Sequence, residues 1–221
     1  MYLNIGHKQL SISTHFPDNN ELKRFARNYV KGKMSALRKD TNHCLQEPFA
    51  PFPAILFCLA NIHLLGALAA GQVLDKHPTT KKRIPIDTSG NSKSYMQSFM
   101  GYTEQQSELI IKIYRHKLVH LAQPNPIYFD NVNNKKIGWL YSHEHRDDHL
   151  YLHDLPKGTK TWIKSDWPEE YDQLFVIGIR QLMEDIIDSV ERHGGYLDQL
   201  DSNTKNLLDN FKKAIEEAYT T

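Results

Sequence analysis

Apolar residues recur at helical spacing along most of the chain and switch to alternation over one internal stretch, and that switch predicts the architecture. Leu22, Phe25, Tyr29 and Leu37 approximate one apolar face of a first helix over 21–39, capped by Asp18 or Asn19 and weakened at Gly32. After Pro51-Phe52-Pro53 an uncharged apolar run continues to Leu74. Its small residues Gly66, Ala67, Ala70 and Gly71 suit the close approach of another helix. The breakers Pro78, Pro85 and Gly90 predict a loop over 76–93. A short helix is expected over 94–100, and Thr103-Glu104-Gln105-Gln106 reads as a capping box opening the next one. That helix closes with the heptapeptide Tyr114-Arg115-His116-Lys117-Leu118-Val119-His120.

Between Pro124 and Pro156 the pattern alternates. Ile127-Tyr128-Phe129, Gly138-Trp139-Leu140-Tyr141 and Leu150-Tyr151-Leu152 read as short strands, the last two joined as a hairpin across His145-Arg146-Asp147-Asp148. Helical pattern returns from Pro168, behind Asp166, and stops at Gly194-Gly195. A final helix starts near Asp201 or Ser202, with Leu207, Leu208, Phe211, Ile215 and Ala218 as its apolar face. The expected fold class is therefore mainly α. It is a single helical-bundle domain over 1–221 with a small β-hairpin insertion at about 127–155, between the motif helix and the C-terminal helices.

Composition narrows the partners. With 40% hydrophobic and 10% aromatic residues in 221, the chain can build a real core. A net charge of +1 excludes a strong global field, so any nucleic-acid contact must rest on a local basic patch. Lys81, Lys82 and Arg83, flanked by Lys76 and Lys93, are the candidate RNA-binding residues, with Lys112 on the motif helix. The stronger reading of the 76–93 cluster is a solvated surface loop. Cys44 and Cys58 form neither a disulfide framework nor a zinc signature, which points to a reducing cytoplasm. The first residues lack the basic start and apolar run of a secretory signal, and no export is expected. The run over 53–74 is about long enough to span a bilayer. It is interrupted by Asn61, His63 and Gln72 and rich in Ala and Gly, so a buried helix is expected and no membrane partner.

The heptapeptide carries the candidate chemistry. Arginine keeps its charge for a phosphate and histidine titrates near neutral pH, the two capabilities that RNA cleavage without a metal needs. The spacing by itself is not distinctive, because Arg38 and His43 repeat it. On an α-helix Arg115 and His120 fall on opposite borders of a polar strip that holds Lys112 and His116. Pro124 close behind predicts a helix end at which the two side chains can converge. In the competing reading Arg115 and His116 cap the last carbonyls and balance the helix dipole.

These residues resemble the motif of the HEPN domains, all-α bundles that are usually dimeric. The resemblance lies in Arg115, the polar His116 after it, the apolar pair Leu118 and Val119, and His120, at the end of a helix that follows a long apolar helix. It implies a metal-independent endoribonuclease of toxin or defence type, without a cofactor, in which Arg115 and His120 are the catalytic pair and His116 an accessory residue. It also implies a homodimer that assembles the site at its interface, single-stranded RNA as substrate, and room for an antitoxin. HEPN toxins paired with a nucleotidyltransferase antitoxin often carry a tyrosine two residues after the histidine, and Ala122 stands there. The alternative is a non-catalytic HEPN-like module that binds RNA or nucleotides or dimerises through its helices. The segment holding His143, Glu144, His145, Asp147, Asp148, His149 and His153 has metal-ligating residue types but matches no metal motif, and a solvated polar tip is expected there.

Overall fold

The computed structural model describes residues 16, 18–72, 74–76, 83–85, 88–115, 118, 124, 127–144, 147–159 and 170–219. Helix α1 (Asn19–Cys44) starts where Asp18 accepts a 3.0 Å hydrogen bond from the Asn20 N–H. It runs past residue 39 because Thr41 and Leu45 prolong the buried stripe of Leu22, Ala26, Val30, Met34 and Leu37. Helix α2 (Pro51–Ala70) ends on Gly71, whose positive φ closes it. The short strands β1 (Leu74–Lys76) and β2 (Arg83–Pro85) then pair antiparallel, where the sequence pattern predicts only a loop.

Helix α3 (Thr88–Tyr95) and helix α4 (Glu104–Leu109) both continue into π-wound turns, Met96–Met100 and Ile110–Arg115. Strands β3 (Tyr128–Asp130), β4 (Lys135–Ser142), β5 (Leu152–Asp154) and β6 (Gln173–Gly178) follow. Helices α5 (Ile179–Glu191), α6 (Tyr196–Asp201) and α7 (Leu207–Tyr219) end the chain.

The expectation of a mainly α bundle with a hairpin insertion does not hold. Helices dominate, but the four strands form one mixed sheet of order β3-β4-β6-β5, and the fold is mixed α/β. Strands β4 and β5 do not form the expected hairpin, because β6 lies between them, parallel to β4 and antiparallel to β5, and Leu150 lies in a turn before β5. The hairpin is β3–β4, in which Tyr128 faces Ile137. Residues 173–178 were read as helix because Leu174-Phe175-Val176-Ile177 is a short continuous apolar run, which suits a buried helix or a central strand equally. Pairing on both sides makes it a central strand, parallel to β4 and antiparallel to β5, with Phe175 to Gly178 buried. The sheet thus extends well past residue 155.

The described residues fall in two compact units: Met1–Ser35, Asn61–Gly101 and Ile187–Thr221 in the first, Ala36–Ala60 and Tyr102–Ile186 in the second. In the first, Phe211 meets Phe25 and Tyr29 edge-on, Tyr95 stacks on Phe99, and its hydroxyl bonds Ser189 at 2.9 Å. The small-residue face of α2 is consumed within this unit: a Cβ on Gly66 would stand 2.8 Å from the Asn91 backbone, and one on Gly71 2.9 Å from Asn210. In the second, Ile110, Ile113, Tyr114, Ile137, Trp139, Phe175 and Ile177 are buried about β4 and β6.

Among the described residues, α2 is the one helix long and apolar enough to cross a membrane, and half of its apolar window is buried in the protein.

One substitution tests this packing with two signs. Gly66→Ala adds helix propensity but drives a methyl into backbone, so we expect a net loss of about 1–3 kcal/mol in urea unfolding. Gly32→Ala, in exposed helix with nothing within 4 Å, is expected to gain about 0.5–1 kcal/mol. Equal effects at both positions would contradict the close approach at Gly66.

Candidate functional site

The motif helix is fixed at its start by the capping box that the sequence predicts. The Thr103 hydroxyl accepts from the Gln106 N–H at 3.2 Å, and the Gln106 side chain accepts from the Thr103 N–H at 2.8 Å. Leu109, Ile110, Ile111, Ile113 and Tyr114 are buried, which leaves Lys112 and Arg115 as the polar positions of the last turn. Tyr114 anchors that turn to the sheet: its hydroxyl donates to the Leu140 carbonyl at 3.2 Å, and its ring lies 6.2 Å from Trp139 and 6.5 Å from Phe175. Burial holds the Tyr114 phenol far above its ordinary pKa, so it remains a donor.

Arg115 is half-buried at the end of the π-wound turn. His116 and His120 lie outside the described residues, as do Lys81 and Lys82, while Leu118 between the two histidines is buried. Arg83 belongs to β2, where its backbone pairs with Lys76, and its side chain lies outside the description. Lys112 is exposed and sits 3.8 Å from Glu108, an i,i+4 surface pair that contributes little to stability. The comparison pair Arg38 and His43 is exposed on the regular α-winding of α1.

Among the described residues the histidine-rich segment does not converge, and His145 lies outside them. His143 lies against Phe49 at 4.3 Å between ring centres, His153 meets Asp148 at 3.2 Å, and Glu144 meets Arg180 at 3.3 Å. Among the described residues no group of three metal-ligating side chains comes together. Burial pushes the Cys58 thiol up to about 12, which removes it as a nucleophile.

The structure adds a cluster that spacing could not reveal. Asp185, on α5, accepts from the Tyr102 hydroxyl at 2.6 Å and from the Gln181 amide at 2.7 Å. His149 Nε2 stands 3.5 Å from the same carboxylate, a long polar contact rather than a strong hydrogen bond. The other nitrogen of His149 accepts the Gly178 N–H at 2.9 Å, which assigns the neutral ring's proton to Nε2, facing Asp185. The imidazole thereby takes the place of a carbonyl at the end of β6. Leu150 beside it holds a positive φ of 61°, and its carbonyl accepts from Gln106 at 3.3 Å.

Burial pushes the Asp185 carboxyl up, but the nearby His149 Nε2 and the hydrogen bonds from Tyr102 and Gln181 outweigh it and hold the carboxyl below its ordinary pKa. Tyr102 is raised well above its own, by burial first and by Asp185 next. The cluster is a strut: Tyr102 directly precedes the cap of α4, so it ties the start of the motif helix as Tyr114 ties its end. His149 was visible in the sequence as a histidine in a polar segment. Tyr102 and Asp185 carried no signal, being 83 residues apart.

No family model, curated protein or solved structure matches the chain.

Because the Asp185 pKa is depressed on folding, its contribution is complete above the unfolded carboxyl value of about 3.9 and is lost as pH falls through the folded value. Tyr102→Phe is expected to cost about 1–2 kcal/mol at pH 7, a hydrogen bond to a charged group, with the difference shrinking below about pH 4. Urea unfolding of both proteins across that range measures it. A cost that stays constant with pH would assign the loss to packing instead.

Proposed function

We propose that the chain is an HEPN-like protein that cleaves single-stranded RNA without a metal, using Arg115 and His120. The proposal rests on the motif and its helix, since the bundle architecture of the resemblance is not kept. One observation supports it above the others: the π-wound turn Ile110–Arg115 delivers a half-buried Arg115 from a helix anchored at the sheet, and π turns recur at functional sites. Arg38 and His43 have the same spacing on regular α-winding.

In this reading neutral His120 takes the proton of a ribose 2′-hydroxyl, and the 2′-oxygen attacks the adjacent phosphorus. Arg115 stabilises the added negative charge of the phosphorane. A second His120, from the other subunit of a homodimer, protonates the departing 5′-oxygen. The products are a 2′,3′-cyclic phosphate and a free 5′-hydroxyl. His116 assists as a polar neighbour, and Lys112 with Lys81, Lys82 and Arg83 holds flanking phosphates. The reading places the protein in the cytoplasm, where RNA and an antitoxin that covers the pair would meet it.

The purified protein is expected to cleave single-stranded RNA in EDTA and to leave cyclic phosphate ends. Arg115→Ala or His120→Ala should each lower the rate by about a hundredfold with the fold intact, and His43→Ala should not change it. Binding of RNA without cleavage by the wild type would replace this reading with a non-catalytic module. Equal loss from both histidine variants would move the chemistry away from the motif.

A further inference from the structure

Among the described residues, the β3 edge of the four-stranded sheet has no further strand and lies beside the start of the motif helix. The sheet order leaves β3 at one edge. Its partner residue Lys136 donates its N–H to the Asp172 carboxylate at 2.7 Å and accepts the Asp172 N–H at 2.9 Å, so its backbone points away from β3. Phe129 is opposite Lys136, which makes that pair the non-hydrogen-bonded kind. The N–H and C=O of Phe129 therefore point outward from the sheet, and among the described residues nothing pairs with them.

Side chains alternate along this edge. Tyr128 and Asp130 face a groove of 640 Å³ whose other wall is α4, with Glu104 and Glu108. Phe129 faces the opposite way and is 54% exposed, and Val132 at the hairpin tip is 92% exposed. The groove lining has three carboxylates, from Glu104, Glu108 and Asp130, of which Glu108 is paired with Lys112 at 3.8 Å, and it includes no lysine or arginine. The Asn133 side chain and the N–H groups of Asn133 and Val132 bond the Asp130 carboxyl and hold it below the usual carboxylate range, so it stays ionised.

We propose that this edge docks an extended, basic segment of a partner protein as an additional strand. Main-chain bonds at Phe129 would supply the pairing, and alternation the selectivity. Lysine or arginine at every second position meets the carboxylates of the groove, and apolar residues between them cover Phe129, while Val132 closes the groove at the hairpin tip. Glu104 and Asp130 disfavour a polyanion such as RNA in this groove, which adjoins the surface proposed for substrate through the Glu108–Lys112 pair. The inference does not depend on the Arg115 reading.

The probe is an octapeptide alternating lysine and valine, titrated into the full-length protein by calorimetry, with an alternating glutamate and valine octapeptide and a single-stranded RNA oligomer as controls. Binding of the basic peptide alone is expected, with amide shifts confined to 103–109 and 128–133. Phe129→Pro removes the outward N–H at an edge position where proline is tolerated, and Glu104→Lys reverses one groove charge. Each should weaken binding by about tenfold or more while circular dichroism is unchanged. No binding of the basic peptide, equal binding of the acidic one, RNA occupying the groove, or full affinity in Phe129→Pro would each overturn the proposal.

Discussion

The second unit depends on the parallel pairing of β4 with β6. Parallel strands cannot be joined by a tight turn, so the chain from His143 to Asp172 must leave the sheet and return. It lays β5 against the far side of β6 on the way, which makes β6 central and buries Phe175, Val176 and Ile177, each worth about 1.5–3 kcal/mol of apolar burial. Three side chains are then set by this register. Tyr114 reaches the Leu140 carbonyl, Tyr171 sits so close over Gly138 that a Cβ there would lie 2.7 Å from its ring, and His149 takes the N–H of Gly178. A slip of one residue would turn each of these faces over.

Helix α4 and its π turn inherit their position from that sheet. Tyr102, before the cap, is held through Asp185, and Tyr114, before Arg115, is held through β4. Along this helix the charges separate, with Glu104 and Glu108 towards the start and Lys112 and Arg115 in the last turn. That order favours the helix dipole. It also gives one element two surfaces of opposite sign, an acidic one beside the β3 edge and a cationic one at the motif.

Helical elements were legible wherever one apolar face recurs, as in α1, or where a cap is written in consecutive residues, as at Thr103 to Gln106. The sheet was only half legible. Alternation marked β3, β4 and β5, but β6 is buried on both faces and does not alternate, so its apolar run was absorbed into the following helix. Without β6 the nearest partner for β4 looked like β5, and a hairpin was expected in place of a parallel pair. For the site, the sequence put Arg115 on the helix that the capping box opens. It could not show the π-winding, which arises in packing, nor bring Asp185 to Tyr102 and His149, which only the tertiary fold does.

The central claim is that Arg115 and His120 act on one phosphate. The most direct measurement is a structure of the protein with a short single-stranded RNA whose ribose 2′-hydroxyls are replaced by methoxy groups, which binds but cannot be cut. The account predicts one phosphate within hydrogen-bond reach of both the Arg115 guanidinium and a His120 imidazole. A phosphate held elsewhere, with these two side chains turned apart, would contradict it.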